Sequence, residues 1–88
     1  MAFVYILQSK KDSRFYVGST NDLERRISEH KNGKTPSTKR FGGIELVFNQ
    51  EYVFLNDARR IERKLKKLKR RDYLEKIIQD GFIKIKPD

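Results

Sequence analysis

Residues 3–9 read FVYILQS. The run opens with consecutive apolar and aromatic residues and is rich in β-formers, so it suits a buried strand. A chain of 88 residues has room for one small domain and one core, and is too short for two. A buried strand in so short a chain decides much of the remaining fold, because the other elements must cover it.

The following residues supply those elements. KKDSR (10–14) is a polar turn, and FYVGS (15–19) resumes as a second strand. The pair reads as an antiparallel hairpin with a loop of about five residues. TNDLERRISEHKNG (20–33) reads as a helix. Asn21 can cap it, with Glu24 three residues later completing a capping-box-like pair. Asp22 and Glu24 suit the positive end of the helix dipole, and Gly33 supplies a stop. KTPSTKRFGG (34–43) is a loop. IELVFNQEYV (44–53) alternates over most of its length and reads as a third strand.

From Asn56 the pattern becomes helical, with Ala58, Ile61, Leu65 and Leu68 in one apolar stripe. DYLEKIIQD (72–80) is a further short helix, ended by Gly81. FIKIKPD (82–88) suits a short strand or a loose tail equally well. The expected fold is α/β: a small three-stranded antiparallel sheet flanked by helices, in the order β-β-α-β-α-α. One domain is expected over residues 1–82, with a short tail at 83–88. The strands are few, so the helices must cover the sheet for the core to close.

Composition narrows the function. Twenty-one Lys and Arg against twelve Asp and Glu give a net charge of +9. A small domain this basic most often meets a polyanion, usually nucleic acid, although charge for solubility alone is the plainer alternative. With no cysteine, disulfides, thiolate metal sites and a cysteine nucleophile are excluded. A single histidine, His30, excludes a multi-histidine zinc site within one chain. No apolar run approaches the roughly 18–20 residues needed to span a bilayer. The N-terminus lacks the basic and long apolar regions of a signal peptide, so a soluble cytoplasmic protein is expected.

Several residues could carry chemistry. Arg26 and His30 are four apart on the first helix and share a face, close to that of Leu23 and Ile27. A guanidinium there can present a charged fork to phosphate, and a histidine one turn away can shuttle a proton. The same spacing also suits an ordinary amphipathic helix. Tyr5 and Tyr16 fall on the two hairpin strands. Phenols can position water or contact phosphate, though most strand tyrosines simply pack. Gly18 either admits a ligand close to the backbone or makes the turn into the helix. Lys39 and Arg40, in the 34–43 loop, either meet phosphates or solvate the loop.

The run DARRIERKLKKLKRRD (57–72) holds one carboxylate, Glu62, among nine cations. Glu62 lies roughly 80° from the centre of the apolar stripe, with Arg59, Lys66 and Lys69 as helical neighbours. As a partner of Lys66 it is worth about 0.3–0.5 kcal/mol. As an oxygen ligand it could hold Mg²⁺, which needs only one or two protein carboxylates and fills its other positions with water and phosphate.

The motifs FVY (residues 3–5) and YVG (residues 16–18) resemble the two strand motifs of the GIY-YIG endonuclease superfamily, with the tyrosines eleven apart as in that family. STNDLERRISEH is similar to its first helix, and DARRIERKLKK to the later helix that carries its metal-binding glutamate. The resemblance spans nearly the whole chain and is nearest to small stand-alone bacterial members. Phe3 stands where the family's first glycine does, which leaves the tyrosine's role intact.

The resemblance implies a GIY-YIG-like fold and a Mg²⁺- or Mn²⁺-dependent endonuclease using one ion, with catalytic residues Tyr5, Tyr16, Arg26, His30 and Glu62. Glu62 would bind the metal. Arg26 would clamp the phosphate, while Tyr16, helped by His30, would position or deprotonate water, and Tyr5 would orient that water or the phosphate. Gly18, Lys39, Arg40, Arg59, Arg63, Lys66 and Lys69 are the expected nucleic-acid-binding residues, with DNA favoured over RNA and repair or processing as the setting. Two alternatives are a basic binding module without useful turnover and an accessory part targeted by a protein partner.

Overall fold

The first strand, β1 (Ala2–Ser9), is the middle strand of the sheet. The computed structural model describes residues 1–34, 43–68 and 70–86. The expected phosphate contacts Lys39, Arg40 and Lys69 lie outside the described residues. The remaining elements are β2 (Phe15–Thr20), α1 (Leu23–Lys31), β3 (Ile44–Tyr52), α2 (Leu55–Leu68) and α3 (Arg71–Asp80). The sheet is antiparallel, of order β2-β1-β3, so the expected β-β-α-β-α-α succession holds.

The hairpin loop is short because it satisfies its own polar groups. The Ser9 amide donates to Arg14 O at 2.8 Å, and Ser13 N to Ser9 O at 3.0 Å. The buried Ser9 hydroxyl accepts from the amides of Lys11 and Asp12.

β1 has apolar side chains on both faces, and the two faces build different cores. Val4 and Ile6 join Val17, Phe48, Ala58, Ile61 and Leu65 under α2, with Ile77 of α3. Tyr5 and Leu7 join Ile44 on the other face, where Leu23 and Ile27 of α1 pack. The register between β1 and β3 shifts between Ile6 and Leu7, so Ile6 opposes Phe48 while Leu7 opposes Leu46. This bulge lets Val47 and Phe48, neighbours in sequence, both serve the α2 face, while Leu46 and Ile44 serve the α1 face.

Asp22, rather than Asn21, caps α1. Its side chain accepts from Arg25 N at 3.2 Å, while the Thr20 hydroxyl takes the Asp22 amide at 3.0 Å and sets the chain's entry one residue later. With that shift Arg25, not Glu24, holds the third helical position, and no capping box forms. Gly81 ends α3 in the left-handed conformation, φ 81°, with its amide on Ile77 O. Leu68, expected in the apolar stripe of α2, is exposed.

Residues 83–86 form no strand. They are not a loose tail either: Ile83 is buried in the core, its amide donates to Gln50 Oε1 at 2.7 Å, and Lys64 Nζ reaches Lys86 O at 2.6 Å. Ile83, just past residue 82, therefore packs with the core. Among the described residues, no helix is long and apolar enough to cross a membrane.

Candidate active site

The site begins with a phenol lying across a glycine. Tyr5 points to the α1 face and pairs across the ladder with Gly18 of β2. A Cβ at Gly18 would lie 2.4 Å from both Cζ and Oη of Tyr5. The space kept open at Gly18 is thus filled by Tyr5, where the sequence suggested room for a ligand. Across the glycine the Tyr5 hydroxyl meets Nε2 of His30, in the last turn of α1, at 2.9 Å.

Tyr16, two residues before Gly18 on the same face, completes an aromatic triangle. Its ring is 5.1 Å from His30 in edge-on geometry and 6.4 Å from Tyr5. Arg26, one helical turn before His30, holds Glu29 at 3.0 Å and lies close enough to the Tyr5 phenol to act on its ionisation.

Burial sets the protonation states. Tyr5 is 1% exposed and His30 3%. Burial pushes the Tyr5 phenol up to about 12, with the Arg26 hydrogen bond acting the other way. Burial, followed by the positive charge of Arg26, holds His30 down to about 4. Both groups are therefore neutral at pH 7. A neutral phenol and a neutral imidazole satisfy each other in this contact, with the donor set by the imidazole tautomer. Arg26 itself is raised above the ordinary guanidinium range, first by Glu29 and then by Tyr5.

Glu62 comes from α2, on the opposite side of the sheet, and meets this network around the edge of β2. Alternation along β2 sends Ser19 to the α2 side, where its hydroxyl donates to Glu62 Oε1. Lys66, one turn after Glu62, reaches Oε2 at 2.7 Å. The same ammonium stands 5.1 Å over the ring of Tyr16. Lys66 therefore joins the carboxylate on one side of β2 to the aromatic triangle on the other, and the Glu62 charge acts on Tyr5. The carboxylate opens on a cleft of about 600 Å³ lined by Ser19, Asn56, Arg59, Arg60 and Arg63.

A family model described as the GIY-YIG catalytic domain matches residues 1–77. This chain belongs to the GIY-YIG family. Among curated proteins it is 38% identical over 78 residues to the UPF0213 protein CPE1444 of Clostridium perfringens, covering 88% of this chain and 83% of that one. It is 32% identical over 80 residues to the UPF0213 protein YhbQ of Escherichia coli, covering 90% and 78%. The solution NMR structure of the UPF0213 protein BH0048 from Bacillus halodurans aligns with a TM-score of 0.57 at 35% identity, over 92% of this chain and 87% of that one.

The GIY-YIG motifs occupy definite places: Tyr5 ends the first on β1, and Tyr16 to Gly18 form the second on β2. Four of the five residues expected at a GIY-YIG active site, Tyr5, Tyr16, Arg26 and His30, form one contact network on the α1 face. The fifth, Glu62, reaches it through Lys66. Of the expected nucleic-acid contacts, Arg59 and Arg63 line the Glu62 cleft and Lys66 binds the carboxylate, while Gly18 is buried.

Ser19, Asn56 and Arg60 join them unannounced. The signal for Ser19 was its parity with Phe15 and Val17, which puts a hydroxyl on an otherwise apolar strand face.

A divalent ion fits the donor set. Among the described residues no group of three or more His, Cys, Asp or Glu gathers. Glu62 supplies one hard carboxylate, 21% exposed, beside the Ser19 hydroxyl and in front of arginines suited to phosphate. Mg²⁺ needs no more protein oxygen than this when water and phosphate complete its shell. Lys66 and Ser19 engage the two Glu62 oxygens here, so an ion bound at the carboxylate would take the place of one of them.

Proposed function

We propose that this GIY-YIG chain is a Mg²⁺- or Mn²⁺-dependent endonuclease that hydrolyses phosphodiester bonds in nucleic acid, with DNA the favoured substrate and repair or processing the setting. The observation that carries this reading is the Lys66 bridge, which joins the Glu62 carboxylate in its arginine-lined cleft to the Tyr16–Tyr5–His30–Arg26 network.

The roles divide by exposure. Tyr16 is half-buried, so it is the tyrosine that water can reach. Its oxygen accepts a hydrogen bond from the attacking water and lines it up. Arg26, with a third of its side chain exposed, clamps the phosphate as its charge grows. Tyr5 and His30 lie beneath, where they hold Arg26 and Tyr16 in place. Arg59, Arg60 and Arg63 hold the flanking phosphates. An ion bound at Glu62 supplies charge stabilisation for the phosphate and the leaving oxygen. The water oxygen joins phosphorus, the bond to the leaving sugar oxygen breaks, and the water proton passes to solvent or the leaving group.

The test compares the wild type with Glu62→Ala and Arg26→Ala, on single- and double-stranded DNA and RNA, with Mg²⁺, Mn²⁺ or EDTA. Metal-dependent cleavage that both substitutions abolish is expected, with nucleic-acid binding retained in Glu62→Ala. Cleavage surviving Glu62→Ala would sink the metal assignment. One observation favours the binding-module reading: Lys66 and Ser19 already engage both oxygens of Glu62. Binding without cleavage under any metal would select it.

A further inference from the structure

On the far side of Lys66 from the Glu62 cleft, β2, α2 and the start of α3 enclose a second concavity of about 340 Å³. Its floor is apolar, made by Phe15, Leu65 and Leu74. Its rim is cationic, made by Arg14, Arg70 and Arg71. Tyr16 and Lys66 also line it, so it shares a wall with the candidate active site.

The rim contains a built stacking platform. The Arg71 guanidinium lies 4.3 Å from the centre of the Phe15 ring. Its Nη1 donates to Ser13 O at 2.7 Å, and Glu75 stands 3.6 Å from its Nε. A planar cation is thus held over an aromatic face before any ligand arrives.

We infer that this pocket receives an unpaired nucleobase next to the phosphodiester held at Glu62 and Tyr16. The inference rests on the nuclease reading and names its substrate class: nucleic acid with an unpaired nucleotide beside the scissile bond. The chemistry matches part by part. A base has apolar faces, which aromatic rings and guanidinium planes stack, and the sugar–phosphate on either side is anionic, which the arginine rim meets. Arg14 and Arg70 pair with Asp12 and Asp72 at exposed positions, interactions weak enough to yield to phosphate. A base within a duplex has both faces stacked and its edge paired, so it enters such a pocket only after leaving the helix. The location matters as much as the lining. The wall made by Tyr16 and Lys66 puts the pocket one residue's reach from the Glu62 carboxylate, as a nucleotide adjoining the scissile phosphate requires.

The test measures binding, with Glu62→Gln protein so that cleavage cannot interfere. Three hairpin oligonucleotides share one sequence: one with a single unpaired 2-aminopurine, one fully paired, and one abasic at the unpaired position. The unpaired hairpin should bind roughly tenfold more tightly than the other two, and its 2-aminopurine emission should fall on binding. Arg71→Ala, at an exposed position, should lose roughly that tenfold on the unpaired hairpin, change the paired one less than twofold, and no longer distinguish the abasic hairpin. Phe15→Leu keeps the apolar wall but removes the ring, and should lose part of the preference.

Equal affinity for all three hairpins would overturn the base pocket and leave the nuclease reading standing. So would an Arg71→Ala loss of the same size on paired and unpaired hairpins, which would make Arg71 a phosphate contact only. Failure to bind any hairpin would overturn both readings.

Discussion

The two faces of β1 carry different tasks. Beneath α2 and α3 the core is apolar throughout, and its side chains exclude water and do little else. Beneath α1 the largest buried group is a tyrosine whose hydroxyl needs the histidine opposite it, with an arginine closing the network. A domain of this size has little apolar surface to spare. The α2 face supplies the larger share of that surface. The α1 face can then bury a phenol and an imidazole, because hydrogen bonds offset their desolvation. Glu62 belongs to the helix of the first face and touches the network of the second through Lys66. It can do so because β2 is an edge strand and, among the described residues, no neighbouring strand blocks the way round.

This division can be broken by mutation. Glu62→Gln should lower metal-dependent cleavage about 10³-fold, an effect of about 4 kcal/mol, while moving the urea midpoint little. Comparable losses of activity and stability would show that the carboxylate is part of the scaffold. Ile61→Ala, the neighbouring residue on the buried stripe, should do the reverse. A stability loss of about 3 kcal/mol in urea unfolding is expected, with the cleavage rate per folded molecule retained.

The α1 face should show itself through pH. The folded-state value of about 4 for His30 lies below the 6.5 of the free side chain. The unfolded chain therefore takes up the proton first. Stability should fall by about 3 kcal/mol as pH drops from 6.5 towards 4, and level off below that. His30→Gln should flatten this window in urea titrations; an unchanged slope would remove His30 from the buried network. Tyr5 gives the mirror image, with stability falling between pH 10 and 12 because the folded phenol keeps its proton longer. The smallest effect is expected from Ser19→Ala. It removes one donor to Glu62 while Lys66 remains, and should cost about 1 kcal/mol of stability and less than tenfold in cleavage.

Much of this fold was legible before any coordinates. Periodicity separated strands from helices, and the stripe Ala58, Ile61, Leu65 marked the buried side of α2 correctly. The local detail failed where neighbours competed. Asn21 and Asp22 are both good caps, and only the Thr20 hydroxyl, taking the Asp22 amide, decides between them. Ile83 looked like tail because alternation alone does not reveal that a Gln50 side chain will satisfy its amide.

The site was harder to read from first principles. The spacing of Arg26 and His30 indicated a shared face. The meeting of Tyr5 with His30 across Gly18 depends on strand register and helix docking, which no local pattern encodes. The resemblance, not the spacing, brought Glu62 into the same group.

The central place of β1 also bears on how the molecule comes together in time. Its hairpin with β2 can close early, since those strands are adjacent in the chain. Its other edge must wait for β3, and Ala2 finds its partner only at Tyr52. Until then an apolar strand stands with one ladder open and its covering helices unmade. Such a chain reaches its native pairing through long-range closure, with an apolar strand exposed until that closure is complete.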